Sequence, residues 1–154
     1  MKPPATLETA RLRLRAPVLD DAEAIFMTYA RDAEATRYVS FPTHRSPDDA
    51  REYLRRCAAG WAGDGPFTWV ILLRENGRLA GAIDIRPQDH RVELGYILGR
   101  EYWGRGYMTE VVRAVGDGFA GPAVIEEEGS TLVVPPRAGF AVVPTGNVVV
   151  SLDS

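Results

Sequence analysis

The feature that most constrains this sequence is the stretch from residue 93 to residue 110, where a strand pattern, a glycine-rich turn and a helix pattern follow one another. Residues 92–98 are an apolar, β-rich run that predicts a strand. Gly104 and Gly106 then stand one residue apart. Apolar residues at helical spacing follow at Met108, Val111, Val112, Val115 and Phe119. The pattern predicts a strand that enters the turn and a helix that leaves it directly.

This turn has the chemistry of an anion site. Glycines let the backbone approach an anion closely while consecutive N–H groups converge on it. The N–H groups of a helix's first turn and the positive end of its dipole suit two linked phosphates without a lysine or a metal. Arg105, between the glycines, is the nearest cationic partner. The alternative is a plain turn, because glycines between a strand and a helix are common turn formers.

Length and composition indicate one folded domain. The chain has 154 residues, of which 45% are hydrophobic and 25% are charged, and such values are typical of globular proteins. The N-terminus lacks a basic region followed by an apolar segment, and no apolar stretch approaches the roughly 20 residues needed to span a bilayer. We therefore expect a cytoplasmic location and no membrane partner.

The scarce residue types narrow the cofactor and partner classes. Cys57 is the single cysteine, so we expect no internal disulfide and a small buried hydrophobe at this position. The two histidines, His44 and His90, lie far apart and form no zinc-ligand spacing. A net charge of -3 and a pI near 5.4 provide no general attraction to nucleic acid. We expect neither a metal nor a nucleic-acid partner.

Two helices are predicted in the first 65 residues. Asp20, with Glu23 three residues on, resembles a capping box for a helix that continues to about residue 31. Ser46 before a proline predicts the start of a second helix. Its apolar face repeats through Ala50, Tyr53, Leu54, Cys57 and Trp61. We expect Gly60 and Gly63 to end this helix.

The strands are predicted to be antiparallel neighbours. Residues 7–14 alternate apolar and charged side chains, which predicts a first strand with one buried face. Residues 67–73 and 79–85 are β-rich runs joined by Asn76-Gly77, the strongest short hairpin signal. A turn at residues 87–90 then leads into the strand before the glycine turn. These runs predict a three-stranded meander.

Residues 92–98, Val-Glu-Leu-Gly-Tyr-Ile-Leu, and residues 101–110, Glu-Tyr-Trp-Gly-Arg-Gly-Tyr-Met-Thr-Glu, resemble the acetyl-CoA motif of GNAT acetyltransferases. The opening Leu-Glu-Thr-Ala-Arg-Leu-Arg-Leu-Arg of residues 7–15 resembles the first strand of the ribosomal-protein N-acetyltransferase-like branch. The order of elements is similar over residues 6–119. The resemblance implies an α/β (α+β) fold with a mainly antiparallel sheet flanked by helices, in which residues 1–120 form an acetyl-CoA-binding domain.

The resemblance also implies roles for individual residues. Backbone groups of Tyr96, Ile97 and Leu98 would pair with the pantetheine arm of acetyl-CoA, and an N–H of Tyr96 or Ile97 would face the oxyanion. Glu93 is the candidate base, with a plain surface carboxylate as its alternative. The other residues implied to bind acetyl-CoA are Trp103, Gly104, Arg105, Gly106, Tyr107, Met108 and Thr109. Met108 departs from the family, which usually has glycine or alanine there, and this implies less room for the phosphates.

Several other residues have two interpretations. Tyr38, Phe41 and Trp61 resemble the family's acceptor-pocket region by position, but aromatic residues on helices are more often core residues. The pair Arg55-Arg56 is most simply a solvated helix face, with a contact to the cofactor's ribose phosphate as the alternative. His44 is more readily a loop residue than a base.

Beyond Gly121-Pro122 the pattern changes to short β-branched runs, and no tyrosine follows Tyr107. The family's usual second half, which often supplies an asparagine and the tyrosine acid, is not recognisable. Residues 121–152 instead resemble the C-terminal β segment of hydantoinase and oxoprolinase proteins. Four short strands are expected there, at 123–125, 131–134, 140–143 and 147–152. They predict an atypical all-β segment, residues 121–154, that packs on the open sheet edge or pairs between chains as a homodimer.

Two functions follow from these observations. The first is transfer of an acetyl group from acetyl-CoA to a primary amine, on a peptide N-terminus or a small molecule. The second is a binding or structural module that lacks turnover, because the acid and the acceptor half are missing. The chain would then be a fusion, a chimera or a reading-frame product.

Overall fold

The computed structural model describes residues 3–37, 42–88, 91–116, 123–127, 130–134, 138–142 and 148–152. Positions 87, 88, 91–93, 116 and the described positions after 122 are given by their backbone alone. Within these ranges an antiparallel sheet carries helices on both faces. This architecture is the mixed, mainly antiparallel α/β fold that the sequence predicts.

The alternating run at the start of the chain forms two strands and not one. β1 (Thr6–Glu8) and β2 (Leu12–Arg15) pair as a hairpin, with Leu7 opposite Leu14. Thr9 closes the turn, since its N–H donates to the Leu12 carbonyl at 2.9 Å and its hydroxyl accepts from the Leu12 N–H at 3.0 Å. The prediction of a single strand was wrong, because alternation shows which face is buried but not where the chain reverses.

The first helical region covers nearly the predicted range. A 3₁₀ turn at Leu19–Asp21 continues into α1 (Ala22–Ile25) and then into a π-helical turn at Phe26–Ala30. The expected cap at Asp20 is replaced by Asp21, whose carboxylate accepts the Val18 N–H at 2.8 Å and both outer nitrogens of Arg15 at 2.8 Å each. This helix start is therefore tied to β2 by an ion pair.

α2 (Pro47–Ala62) begins where Ser46 predicts, with Asp48 and Asp49 in its first turn. The Ser46 hydroxyl makes no capping bond, and Asp49 accepts the Arg45 N–H at 2.8 Å instead. Gly63 follows the helix as expected, but Gly60 lies inside it and is buried. A Cβ at Gly60 would collide with the Pro66 carbonyl, so this glycine permits close packing and does not end the helix.

The meander is built as the hairpin signal predicts. β3 (Phe67–Leu73), β4 (Leu79–Gln88) and β5 (Arg91–Leu98) pair in sequence. Gly77 has a φ of 73° in the β3–β4 turn, and Asn76 accepts the Arg78 N–H at 2.9 Å. β4 runs on to Gln88, so it takes up half of the turn predicted at 87–90. The rest of that turn, including His90, lies outside the described residues.

The remaining elements are α3 (Tyr107–Gly116) and four strands. The strands are β6 (Ala123–Glu127), β7 (Ser130–Val134), β8 (Ala138–Val142) and β9 (Val148–Leu152). β6 and β7 form a separate antiparallel pair, whereas the larger sheet has the order β1-β2-β3-β4-β5-β9-β8. Each of the four predicted strands is therefore present, although positions 143 and 147 of the predictions lie outside the described residues. Two of the strands extend the main sheet beyond β5.

Side chains of the sheet pack into two hydrophobic clusters. Trp69, Ile71 and Ile83 belong to the cluster that contains the buried face of α3, whereas Val70 and Ala82 belong to the cluster that contains α1 and α2 residues. Successive strand residues alternate between the clusters because side chains along a strand point to opposite faces. The sheet is thus covered on both faces, and α3 is held over one of them.

Candidate functional site

The edge of β5 changes partway along the strand. Its first half, Arg91 to Leu94, pairs with β9 as well as with β4, and the register ends where Leu94 meets Val148. Its second half pairs with β4 alone among the described strands. This second half, whose outer edge is open among the described strands, is followed along the chain by a 3₁₀ turn and then by the glycine turn.

Backbone groups of this second half alternate in direction, as they do in any antiparallel strand. The Ile97 carbonyl lies against Gly81 of β4, and the Gly99 N–H donates to the Ala80 carbonyl at 2.9 Å. The backbone groups of Ile97 therefore face β4 within the sheet, contrary to the expectation that they pair with a ligand. By alternation, the groups of Tyr96 and Leu98 point toward the open edge.

Trp103 stands at the end of this edge. A 3₁₀ turn at Arg100–Tyr102 follows β5 and places the indole beside the strand. The indole N–H donates to the Leu98 carbonyl at 2.9 Å, while the side chain stays 50% exposed. Trp103 therefore occupies one of the backbone acceptors that the edge would offer to a ligand.

The two glycines of the turn adopt the conformation that only glycine takes readily. Gly104 has a φ of 73° and Gly106 a φ of 77°. A Cβ at Gly104 would meet nothing within 4 Å, so its requirement is conformational and leaves the surface open. The Glu110 N–H donates to the Gly106 carbonyl at 3.1 Å and closes the first turn of α3. The N–H groups of Tyr107 and Met108 therefore precede the intrahelical bonds, at the positive end of the dipole.

Met108 does not crowd this surface. Its side chain is 3% exposed and packs with Val111 and Val112 in the cluster under α3. The expected loss of room for the phosphates was based on side-chain size alone. Because the helix turns Met108 toward the sheet, only its backbone remains at the turn.

Sequence reasoning missed a group of residues that contact the glycine turn and the first turn of α3. Arg11, in the β1–β2 turn, donates from Nε to Glu110 Oε1 at 2.8 Å and from one terminal nitrogen to the Arg105 carbonyl at 3.0 Å. Its guanidinium also lies over the Tyr107 ring, 4.4 Å from the centroid. Glu110 Oε2 accepts from the Arg11 N–H at 3.0 Å and from the Thr9 hydroxyl. The only sequence signal was the placement of an acid in the first turn of α3.

Glu93, the candidate base, lies in β5 directly opposite Arg86 of β4. Its side chain falls outside the described part of the structure, so its role stays a prediction. Asp84, two positions before Arg86, accepts the Gly95 N–H at 3.1 Å and the Arg86 guanidinium at 3.2 Å. The Asp84 carboxylate, on β4, therefore lies beside Gly95, where the open part of the β5 edge begins.

Titratable side chains are also buried on the face covered by α1 and α2. Burial raises the pKa of the Tyr29 hydroxyl, of Tyr53 and of the Cys57 thiol. Cys57 is 4% exposed and is the buried hydrophobe that we expected. Burial lowers the pKa of His44, whose ring lies 6.1 Å from the Tyr53 ring. Each shift favours the neutral form, so these groups are uncharged near neutral pH.

The other candidates named from the sequence are an aromatic residue and two arginines on α2, and two aromatic residues that precede it. Trp61 packs edge-on against Phe67 and Trp69, with centroids 5.2 and 5.5 Å apart, and its indole donates to the Thr68 carbonyl at 2.7 Å. Trp61 is half-buried and packs against the hydrophobic cluster under α3, as the core interpretation requires. Arg55 and Arg56 are exposed on α2, as the solvated-face interpretation requires. Tyr38 and Phe41 lie outside the described residues.

The part of the chain that the structure covers shows neither a metal-ligand cluster nor a membrane-spanning helix. No group of three or more histidine, cysteine, aspartate or glutamate side chains there is arranged to hold a metal ion. No helix among the described residues combines the length and apolar character needed to cross a membrane.

Comparison with known proteins agrees with this geometry. Residues 11–126 match the model of the acetyltransferase (GNAT) domain. The uncharacterized N-acetyltransferase YoaA of Bacillus subtilis (strain 168) is 36% identical over 118 residues, which are 74% of this chain and 66% of YoaA. The chain spans between 64% and 66% of the length of three curated relatives that it matches.

Solved structures share the fold. MccE, the microcin C7 self-immunity acetyltransferase solved with acetyl-CoA and AMP, has a TM-score of 0.67 at 13% identity and covers 94% of each chain. A Vibrio cholerae protein proposed to be a ribosomal-protein-serine acetyltransferase has a TM-score of 0.59 at 18% identity and covers 100% of each chain. At these identities the likeness establishes the fold alone.

Proposed function

Because this chain belongs to the GNAT acetyltransferase family, we propose that it binds acetyl-CoA and transfers the acetyl group to a primary amine, on a peptide N-terminus or a small molecule. The observation that carries this proposal is the half of the β5 edge that no described strand covers, which is followed along the chain by a 3₁₀ turn, the glycine turn and the start of α3. An extended ligand with a linked phosphate pair requires the edge, the glycine turn and the helix start in that order. Acetyl-CoA has this shape.

The residues of the turn fit the pyrophosphate. Gly104 leaves open space at the surface, and the N–H groups at the start of α3 provide donors and a favourable dipole. Trp103, Arg105 and Thr109 flank this surface, and the pantetheine arm would lie along the backbone of Tyr96 and the N–H of Leu98, whose carbonyl accepts from Trp103. Bound there, acetyl-CoA supplies an activated acetyl group as a thioester. MccE, which shares the fold, was solved with the same ligand.

Glu93 is the proposed general base. It lies on the strand that forms the edge, in the half nearer to β9. A base there would take the proton from the acceptor ammonium directly or through water, which typically contributes 10²–10⁴-fold to rate. The Tyr96 N–H remains the proposed donor to the oxyanion, because Ile97 is directed toward β4.

The ribosomal-protein N-acetyltransferase-like branch is the proposed subgroup, and the first-strand sequence supports it. A second function is binding without turnover, and the thiol-release measurement described below distinguishes it from the first. The resemblance of residues 121–152 to hydantoinase and oxoprolinase proteins suggests a distinct origin for that segment, and we assign no activity to it. We also propose a cytoplasmic location and a homodimer.

Calorimetric titration with acetyl-CoA tests the binding. We expect saturable heat and a rise in the melting temperature with ligand. Gly104→Ala should lower affinity at least about tenfold, since an alanine strains a turn that must present its backbone. Gly77→Ala is the matched control, because Gly77 has the same φ of 73° and the same open surroundings, but lies in the β3–β4 turn. No heat and no melting shift at saturation would refute the proposal.

Turnover is tested separately. Glu93→Gln should leave acetyl-CoA affinity unchanged and slow thiol release in the presence of an amine by about 100-fold. Glu75→Gln, on the exposed β3–β4 turn, is the control. Full rate in Glu93→Gln at every pH would refute the base assignment. Binding by the wild-type chain without thiol release for any primary amine would favour the second function.

A further inference from the structure

Several bonds join the β1–β2 turn to the glycine turn. Arg11 and Arg105, which are in contact, are 94 positions apart in the sequence. Arg11 contacts the turn at the Arg105 carbonyl, the helix at Glu110 and the ring of Tyr107. Thr9 and the Arg11 N–H hold the second oxygen of Glu110. The carbonyl that accepts from Arg11 belongs to Arg105, which lies between the two glycines with positive φ.

We propose that Arg11 and Glu110 are positioning residues that hold the glycine turn in its phosphate-binding conformation. This inference rests on the proposed function, because it assigns the turn to acetyl-CoA. Two glycines make the turn conformationally permissive, and an unliganded permissive turn loses entropy when it binds a ligand. A guanidinium fixed by Glu110 and bonded to the Arg105 carbonyl removes part of that freedom beforehand.

The charges point to the same role. A carboxylate in the first turn of α3 would repel a pyrophosphate at the helix N-terminus unless it were neutralised. Partial burial raises the pKa of Glu110, but hydrogen bonds from Thr9 and Arg11 outweigh this effect and hold the pKa below its usual range. Glu110 is therefore ionised near neutral pH, and Arg11 compensates its charge.

The same hairpin contains a natural control. Arg13 also donates two guanidinium bonds to a glutamate, Glu8, at 2.9 and 2.6 Å. This pair lies within the hairpin, and its Arg13 and Glu8 side chains are 56% and 44% exposed. Arg13→Ala and Arg11→Ala therefore each remove an arginine–glutamate pair of the same hairpin, but only Arg11→Ala releases the glycine turn.

The test compares these variants in acetyl-CoA titrations and in thiol-release kinetics. Arg11→Ala should raise the Kd and the KM for acetyl-CoA about tenfold, with kcat at saturating acetyl-CoA and the KM for the amine within about twofold of wild type. Arg13→Ala should change neither constant. The double variant Arg11→Ala/Glu110→Gln should bind no more weakly than Arg11→Ala, because the two residues act as one unit.

A ligand-free measurement separates this inference from the proposed function. Hydrogen–deuterium exchange of the amides of residues 104–110 should be faster in Arg11→Ala than in Arg13→Ala without any ligand. Equal exchange and equal Kd in the two variants would overturn the inference while leaving the proposed function intact. If wild-type protein fails to bind acetyl-CoA, the proposed function is refuted, and the assignment of the turn to phosphate is refuted with it, whatever the exchange shows.

The contribution of Glu110 should also depend on pH in one direction. Its pKa is lowered from 4.5 in the folded protein, so its contribution is complete above 4.5 and is lost as the pH falls through the lowered value. The exchange difference between Arg11→Ala and Arg13→Ala should therefore be constant from pH 6 to pH 8. It should shrink in acid, where protonated Glu110 no longer anchors Arg11, and a difference that persists unchanged there would contradict this anchoring.

Discussion

Both halves of β5 pair with β4 on one side, but they differ on the other side, where only the first half pairs with β9. Arg91 to Leu94 is an interior strand, paired with β4 and β9. Gly95 to Leu98 is paired with β4 alone among the described strands. The sequence of the strand is β-rich throughout, so the difference arises from where β9 stops. One half is therefore an interior strand, and the other half has one edge without a partner among the described strands.

The Asp84 side chain binds the backbone of β5 at the point where the two halves meet. At Gly95, the first residue beyond the β9 register, the N–H donates to the Asp84 carboxylate at 3.1 Å. Two residues later the strand lies so close to β4 that only glycine fits at position 81. The open half is thus held firmly on its β4 side. A rigid edge lowers the entropy that a ligand loses on binding.

The largest effect should come from separating the open half from β4. A Cβ at Gly81 would collide with the Ile97 carbonyl and lie 2.9 Å from the Leu98 side chain, so Gly81→Ala should lower the free energy of unfolding by about 2–3 kcal/mol. Urea denaturation measures this change. Gly63→Ala is the control, because its Cβ would meet only the Ala59 carbonyl, at 3.4 Å. Equal stabilities would show that the two strands are not tightly packed there.

A smaller effect should distinguish the halves directly. The Leu94 N–H faces β9 and the Leu98 N–H faces the open edge, so the Leu98 amide should exchange with solvent at least about tenfold faster. Acetyl-CoA should slow exchange at Leu98 and leave Leu94 unchanged. Residue-resolved exchange by NMR makes the measurement. Equal rates without ligand would mean that another element covers the edge.

The smallest effect concerns the bond that closes the edge. Trp103→Phe removes the donor to the Leu98 carbonyl, which should lower the free energy of unfolding by about 1 kcal/mol. Thermal denaturation checks this value. Trp103→Phe with wild-type stability would show that water replaces the indole without loss, and that the 50% exposed ring is held by its hydrogen bond only weakly.

Much of this arrangement could be predicted from local sequence. The Asn76-Gly77 hairpin, the helix start after Ser46 and the strand–turn–helix order around Gly104 and Gly106 depend on backbone preferences of a few adjacent residues. Such preferences act within one turn of chain, so a single sequence contains them. Gly60 was misread for the opposite reason, since its glycine is required by Pro66, which a neighbouring segment brings to it.

The sequence by itself determined the glycine turn, the helix that follows it and the resemblance to an acetyl-CoA motif. Tertiary structure decided that Ile97 faces β4, that Met108 packs inward, and that Arg11 reaches across 99 positions to Glu110. The physical reason is that side-chain direction and ion pairing depend on which elements pack together. Local propensity carries no record of a partner that folding brings from a distant part of the chain.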